Sequence, residues 1–321
     1  MNTLKDHLKQ ARELSWKNFG KTITMYLPGM FSIDGVRGDY PAISMTGKKC
    51  SLLCDHCKGQ LLRTMPAAVT PEELVQKAIN YQKKGSHGIL ITGGCDREGN
   101  LPWKEFLPAV KRIKEKTGLF VSAHSGVLDA ETAKDFREAG VDQALMDVIG
   151  DDSTYQKICH VKHGVSKIYD TIKYLADEGI DFIPHIICGL EHGSIKYEER
   201  ALETVAGFHP RQLVIISLMP LPKTPLWGRT PPTAEEIAKI IVKARFMMPD
   251  TILSLGCARQ RGDIKKELLA IDAGINRMAI PSEEAIEHAK DYGLDIKYQK
   301  TCCSVSQPFE IKGWHETTDR P

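Results

Sequence analysis

From about residue 42 to about residue 290 the chain alternates strand-like runs with helical segments, and no other feature restricts its fold as much. The candidate strands are Ala42 to Thr46, Gly88 to Gly94, Leu119 to His124, Gln143 to Ile149, Phe182 to Gly189, Gln212 to Met219, Thr251 to Ala258 and Arg277 to Ile280. The segments between them have helical period and clear starts. Thr70-Pro71-Glu72-Glu73 and Thr233-Ala234-Glu235-Glu236 each place a capping hydroxyl before acidic first-turn residues. Eight strands alternating with helices predict an α/β fold, a (β/α)8 TIM-type barrel over residues 42–290. The 321 residues suit one such barrel, and a hydrophobic content of 42% supplies its core. Residues 1–41 read as an N-terminal helix, Leu4 through Phe19, followed by a lid or plug around Tyr26-Leu27-Pro28-Gly29. Residues 291–321 read as a C-terminal capping tail.

Barrels of this kind build their sites at the C-terminal ends of the strands, and the first strand leads there into Lys49-Cys50-Ser51-Leu52-Leu53-Cys54-Asp55-His56-Cys57. The spacing is C-x3-C-x2-C. A structural zinc site closes a tetrahedron with four ligands, usually from paired C-x2-C units, and no second pair lies nearby. Three local thiolates leave one metal position open, and soft thiolates select zinc or iron–sulfur. A zinc knuckle, or three unrelated thiols in a loop, is the plainer alternative. Nine cysteines in a cytosolic chain favour metal binding over disulfides. The cytoplasm is the expected location, because Met1 to His7 begins a charged amphipathic helix and no apolar run reaches the ~18 residues of a membrane span. A net charge of +2 with mixed signs gives no nucleic-acid surface.

The three-cysteine stretch resembles the signature of the radical S-adenosylmethionine (SAM) superfamily, in which a [4Fe–4S] cluster on three cysteines keeps one iron free for SAM. His56 stands where that family usually has an aromatic. The second strand ends Ile91-Thr92-Gly93-Gly94-Cys95-Asp96, similar to the family's Gly-Gly-Glu motif that holds the SAM amino group. Cys95 replaces the glutamate, and Asp96 is the candidate for the missing carboxylate. The fifth strand ends His185-Ile186-Ile187-Cys188-Gly189, similar to the segment that packs on adenine, with Ile187 as the contact. Alternation along a strand turns His185 and Ile187 towards the barrel interior and leaves Cys188 as a packing thiol facing the helices.

Within the superfamily the chain resembles the biotin synthase branch over roughly residues 42 to 300. Lys162, after Cys159-His160-Val161, falls where that branch places an arginine on the SAM carboxylate, and Asp147 falls near its ribose-binding residue. Both also read as ordinary surface charges. Pro222-Lys223-Thr224-Pro225-Leu226 is similar to the branch's K-G-T-P-L turn. Leu255-Gly256-Cys257-Ala258-Arg259 matches the strand that carries an inward arginine on the auxiliary cluster, so Arg259, with His185, is the candidate catalytic residue. A period of two sends Cys257 to the same face. The branch's auxiliary-cluster cysteines are missing, however: Thr92, the neighbourhood of His124 and Ile183 stand in their places, which argues against biotin synthase itself. The tail offers Cys302 and Cys303 instead. Folded over the barrel mouth, they would join Cys257 on a second [4Fe–4S] cluster, with Cys95 or Cys159 completing it.

The resemblance implies a sulfur-inserting enzyme, and the nearest family is one subunit of the two-component, archaeal-type lipoyl synthase. Its 5′-deoxyadenosyl radical would abstract hydrogen from an octanoyl chain, and the auxiliary cluster would donate sulfur. The implied partners are an octanoylated lipoyl domain or glycine-cleavage H protein, a second radical SAM subunit, and a reducing protein such as ferredoxin. Two other readings stay open. A mutase or maturase similar to methylornithine synthase needs no second cluster, and a non-catalytic iron–sulfur scaffold needs no SAM site.

Overall fold

The computed structural model describes residues 3–33, 35–311 and 313–314. Helix α1 (Leu4–Phe19) is started by a capping box between Thr3 and Asp6 and buries Leu8 and Ala11. Strand β1 (Thr22–Tyr26) follows it, then a small hairpin of β2 (Ser32–Ile33) and β3 (Val36–Arg37). The regular alternation begins at β4 (Ala42–Ser44). It continues through α2 (Pro71–Lys83), β5 (Gly88–Thr92), α3 (Trp103–Lys116), β6 (Phe120–His124), α4 (Ala130–Ala139) and β7 (Gln143–Asp147). Two helices, α5 (Asp152–Cys159) and α6 (Ser166–Asp177), precede β8 (Asp181–Cys188). Then come α7 (Glu198–Ala206), β9 (Gln212–Ser217), α8 (Ala234–Met247), β10 (Ile252–Leu255), α9 (Ile264–Asp272), β11 (Arg277–Ala279) and α10 (Glu283–Asp291). The chain closes with β12 (Asp295–Gln299) and β13 (Glu310–Ile311). The expected caps form: the Thr70 hydroxyl accepts the Glu73 N–H, and Thr233 and Glu236 cap each other reciprocally.

All eight expected strands are present as β4 to β11, and each is parallel to its neighbours. Two further strands extend the series. β1 is inserted between β11 and β12, pairing Thr24 with Arg277 on one side and Thr22 with Asp295 on the other. The segment read as a lid therefore supplies a core strand, with Ile23, Met25 and Tyr26 fully buried. The segment read as a tail supplies β12, with β13 antiparallel on its outer edge. Both flanking segments thus belong to the same sheet as residues 42–290.

The sheet curls without closing: among the described residues no ladder joins β4 to β12 or β13. The chain after β12 spans the seam. Asp39 N–H donates to the Lys300 carbonyl (2.7 Å), and Phe309 stacks on His87 at 4.9 Å while meeting Phe120 edge-on at 6.2 Å.

The tail enters the barrel from the end opposite to the one expected. Gln212 Nε2 donates to the Cys303 carbonyl (2.8 Å), Gln143 Nε2 to the Ser304 carbonyl (2.5 Å) and an Arg277 guanidinium N–H to the Val305 carbonyl (2.9 Å). Ser306 Oγ donates to Asp181 (2.8 Å). Gln212, Gln143, Arg277 and Asp181 are the first residues of β9, β7, β11 and β8. The tail therefore seals the N-terminal end of the barrel and does not fold over its mouth. The cause is polar satisfaction: Gln143 and Gln212 are fully buried, and buried amides need partners, which the tail carbonyls provide. Tyr26, Leu145, Ile183, Val214 and Ala279 pack around Cys303 above this seal. Residues 315–321 of the tail lie outside the described residues.

Candidate functional site

The cysteine loop is fixed to the ends of two strands. Thr46 Oγ1 donates to the Lys49 carbonyl (2.8 Å) and accepts the Gly94 N–H (2.7 Å), and Ser51 N–H donates to the Cys95 carbonyl (2.7 Å). The loop lies so close to β5 that a Cβ on Gly94 would sit 2.1 Å from the Lys49 carbonyl oxygen and 2.5 Å from Cys50 Cβ. Only glycine fits there. Leu53 and Lys58 take left-handed φ values of 47° and 45°, a conformation costly outside glycine and typical of functional loops. Cys54 is buried, and Cys50 and Cys57 are half-buried.

All three thiols line a cavity of about 300 Å3 together with Gly93, Gly94, Asp147 and Ile187. Four of the six residues expected at the cofactor are thus brought together beside the motif. Three soft donors on one side of a cavity at the lower end of the size range of ligand sites fit an iron–sulfur cluster with one open position, and the glycine cradle fits close approach of a cofactor backbone.

Two expectations fail here. The Asp96 carboxylate is consumed by its own turn, accepting the N–H groups of Glu98 and Asn100 and the Asn100 side-chain amide. It lies outside this cavity. Lys162 is exposed and lines neither this cavity nor the deeper one described below, because α5 ends at Cys159 and the chain turns outward through His160 at φ 61°.

Cys95 and Cys159 also stand in this first cavity, and neither reaches Cys257. Cys54 Sγ is 3.7 Å from the Cys159 carbonyl, and a hydrogen bond from the Cys159 thiol lowers the Cys54 pKa while holding that of Cys159 well above the ordinary thiol value. Burial pushes Cys95 up and Cys57 up to about 12. Five of the nine cysteines are therefore gathered at the mouth. Sequence reasoning did not see His56 as a donor. Its Nδ1 is enclosed without a hydrogen-bond partner, and burial lowers its pKa.

Deeper in the barrel a second cavity, about 230 Å3, is lined by Cys257, Cys302 and Cys303. The three interact: the neighbouring Cys303 thiol lowers the pKa of Cys257 and brings that of Cys302 to about 7, while Cys303 itself is held well above the usual value. The two cavities share His56, Cys57, Leu61, Leu90, His124, Asp147 and Ile187 as lining. His124 Nε2 is 3.9 Å from the Asp147 carboxylate, and its ring centroid is 6.1 Å from that of His185. One continuous chamber thus runs from the mouth thiols past His124 and Asp147 to the deep thiols. His124, the last residue of β6, was legible only as a strand end.

The two residues expected to be catalytic have other work. His185 lines the deep cavity, but both ring nitrogens are engaged, Nδ1 with the Ile183 carbonyl (3.0 Å) and Nε2 with Ser304 Oγ (2.9 Å). A carbonyl only accepts, so Nδ1 carries the proton and Nε2 accepts from Ser304. Burial lowers the pKa to about 4, which keeps the ring neutral. His185 holds the tail in position. Arg259 does not line the chamber. β10 ends at Leu255 and Arg259 N–H turns back to the Cys257 carbonyl, so the strand period no longer applies. Its guanidinium, 1% exposed, binds Glu267 of α9 (2.5 Å) and the carbonyls of Gly256 and Ile280.

Removing one partner of such a buried pair costs about 3–5 kcal/mol. Arg259→Ala is therefore expected to lower thermal stability by that amount. A melting temperature within about 1 °C of wild type, less than about 1 kcal/mol at this chain length, would show that the pair contributes little.

The model of the radical SAM superfamily matches residues 44–205, half of the chain. The chain belongs to the radical SAM superfamily. A second model, the Biotin and Thiamin Synthesis associated domain, matches residues 215–317, the span that contains all three deep cysteines. Biotin synthase from Nitrosopumilus maritimus is 25% identical over 228 residues, covering 70% of this chain and 69% of that protein. Biotin synthase from Pelotomaculum thermopropionicum is 24% identical over 241 residues, covering 72% and 73%. Among solved structures, methylornithine synthase superposes with a TM-score of 0.63 at 17% identity, covering 92% of this chain and 90% of that one. The FeFe-hydrogenase maturase from Carboxydothermus hydrogenoformans gives 0.65 at 14%, covering 92% and 73%. This radical SAM enzyme therefore shares its curled α/β barrel with that group. No helix among its described residues is long and apolar enough to cross a membrane.

Proposed function

We propose that this radical SAM enzyme inserts sulfur into an unactivated C–H bond of a protein-bound octanoyl chain, as one of the two subunits of a lipoyl synthase. The observation that carries the reading is the convergence of Cys257, Cys302 and Cys303 on a chamber continuous with the SAM-side thiols. The similarity to biotin synthases supports sulfur insertion as the reaction class. The deep cavity's walls, among them Leu90, Leu145, Ile216 and Leu218, suit an unbranched acyl chain better than a polar metabolite.

When bound, an iron–sulfur cluster and SAM supply the radical chemistry, and a second cluster supplies sulfur; the protein supplies placement. Cys50, Cys54 and Cys57 would hold the first cluster, with Gly93, Gly94, Asp147 and Ile187 around SAM. Cys257, Cys302 and Cys303 would hold the second. Asp147 and His124 lie between the two sets, where they orient what enters. The octanoylated lipoyl domain or H protein would present its arm through the mouth, and a reducing protein such as ferredoxin would deliver electrons in the cytoplasm.

Counting iron and acid-labile sulfide after anaerobic reconstitution tests the reading. About eight irons per chain are expected for two [4Fe–4S] clusters, with thiolated octanoyl product on the carrier protein. About four irons and no thiolated product would favour a mutase or maturase, the reading that the fold likeness to methylornithine synthase keeps in view.

A further inference from the structure

We propose that the mouth loop carries a second, mutually exclusive metal site, at which Cys54, His56 and Cys159 hold one thiophilic divalent ion, zinc, before the iron–sulfur cluster is assembled. One donor atom from each of these residues lies within 4.8 Å of the other two, and this is the one such trio of His, Cys, Asp or Glu among the described residues. The closeness matters. Zinc bonds of 2.3 Å to sulfur and about 2.0–2.1 Å to nitrogen put neighbouring tetrahedral donors about 3.8 Å apart or less. The trio is within about 1 Å of that arrangement, whereas a cluster distributes its thiolates over separate irons.

A second observation points to a ligand. His56 Nδ1 is enclosed and has no hydrogen-bond partner. A buried ring nitrogen without a partner is costly, and a metal ion is one of the few occupants that would satisfy it beside two thiols. The donor set, two sulfurs and one imidazole with a fourth position left over, is the kind that zinc accepts.

Chain geometry explains how the trio forms. Cys54 and His56 come from the motif loop, and Cys159 is the last residue of α5. Asp55 joins these two elements from the same loop: its N–H donates to the Ile158 carbonyl (2.8 Å), and its carboxylate meets His160 (2.8 Å) and Lys58 (2.9 Å). The loop is thus held against α5 with its donors already facing each other.

Because Cys54 serves both sites, the ion and the cluster exclude each other. Zinc binding takes Cys54 and Cys159 as thiolates and releases their protons. It keeps the motif loop ordered in cluster-free protein, and it must leave before iron occupies Cys50, Cys54 and Cys57. His56, standing within the motif, and Cys159, outside it, are then determinants of metal loading.

The test uses the full chain, cluster-free and anaerobic, in a Cys302→Ser/Cys303→Ser background that disables the deep thiols. Titration with cobalt(II), then zinc against a chromophoric chelator, is expected to give one tight equivalent with thiolate-to-cobalt charge-transfer bands. Cys159→Ala and His56→Ala should each weaken zinc at least about tenfold, the low end of what loss even of an outer-shell partner costs. Cys159→Ala should also lose about half of the charge-transfer intensity, and His56→Ala should keep it. Zinc-loaded protein should take up iron and sulfide more slowly than zinc-free protein, and Cys159→Ala should abolish that delay. The proposal is overturned if the parent binds no ion, or if both variants bind zinc as tightly as the parent. It is equally overturned if affinity is lost on Cys57→Ala while Cys159→Ala leaves it intact, because the ion would then sit on the motif cysteines alone.

Discussion

Replacing Cys50, Cys54 and Cys57 together with alanine is expected to reduce reductive cleavage of SAM to 5′-deoxyadenosine to background, with the barrel still folded. The loss follows from chemistry: the three thiols are the soft donors on the SAM-side cavity that the signature spacing presents, and alanine has none. Survival of the fold follows from where the loop sits. In residues 47–66 only Gly47, Leu52, Cys54, Gly59 and Leu62 are buried, while the sheet core lies on the strands. Three Cys→Ala changes in a peripheral loop fall within the ordinary range of about 0.5–3 kcal/mol, and at this chain length each kcal/mol moves the melting temperature by about 1.5 °C. Circular dichroism should thus report a native barrel melting a few degrees lower. SAM cleavage at the wild-type rate in the triple variant would remove the motif from the reaction.

Elements with strong local signals were legible in the sequence. Helix α1 and strands β4 to β11 have caps, period or apolar runs that survive in any context, so tertiary structure only had to confirm them. β1 and β12 were missed because their evidence is not local. Thr22–Tyr26 is five residues long between a helix and a Pro-Gly turn, and Asp295–Gln299 carries charges outward at both Asp295 and Lys297; each becomes a strand by pairing with the other.

The same distinction runs through the site. Cys50, Cys54, Cys57, Gly93 and Gly94 are fixed by spacing along the chain. Asp96 was misread because an aspartate two residues before an N–H prefers to accept it, and Arg259 because the strand period was extended past the end of β10. Cys95 and Cys159 were assigned to the wrong thiol group since sequence gives no distance between the end of β5, the end of α5 and the tail. His185 was placed correctly on the inner face, but its partner Ser304 lies 119 residues away, beyond anything a period can reach.

The direction of the tail sharpens the other large expectation. Extended chain at ~3.3 Å per residue had enough length to bring Cys302 and Cys303 over the mouth, yet they reach Cys257 from the strand N-termini. Their backbone is held there by Gln143, Gln212 and Arg277 through the carbonyls of Cys303, Ser304 and Val305, and side-chain truncation leaves those hydrogen bonds in place. Cys302→Ala/Cys303→Ala should therefore keep the tail seated while removing two of the three deep thiols. Such a variant is expected to lose about four irons per chain and all thiolated octanoyl product. It should still cleave SAM, now uncoupled from product, because Cys50, Cys54 and Cys57 are carried by a different loop. A matched measurement of iron, product and 5′-deoxyadenosine separates the possibilities. Loss of iron with retained SAM cleavage assigns the second cluster to these thiols. Full iron and full product would reduce the pair to packing at the barrel floor, and the chamber would then suit a mutase, with the radical returned to the substrate and no sulfur consumed.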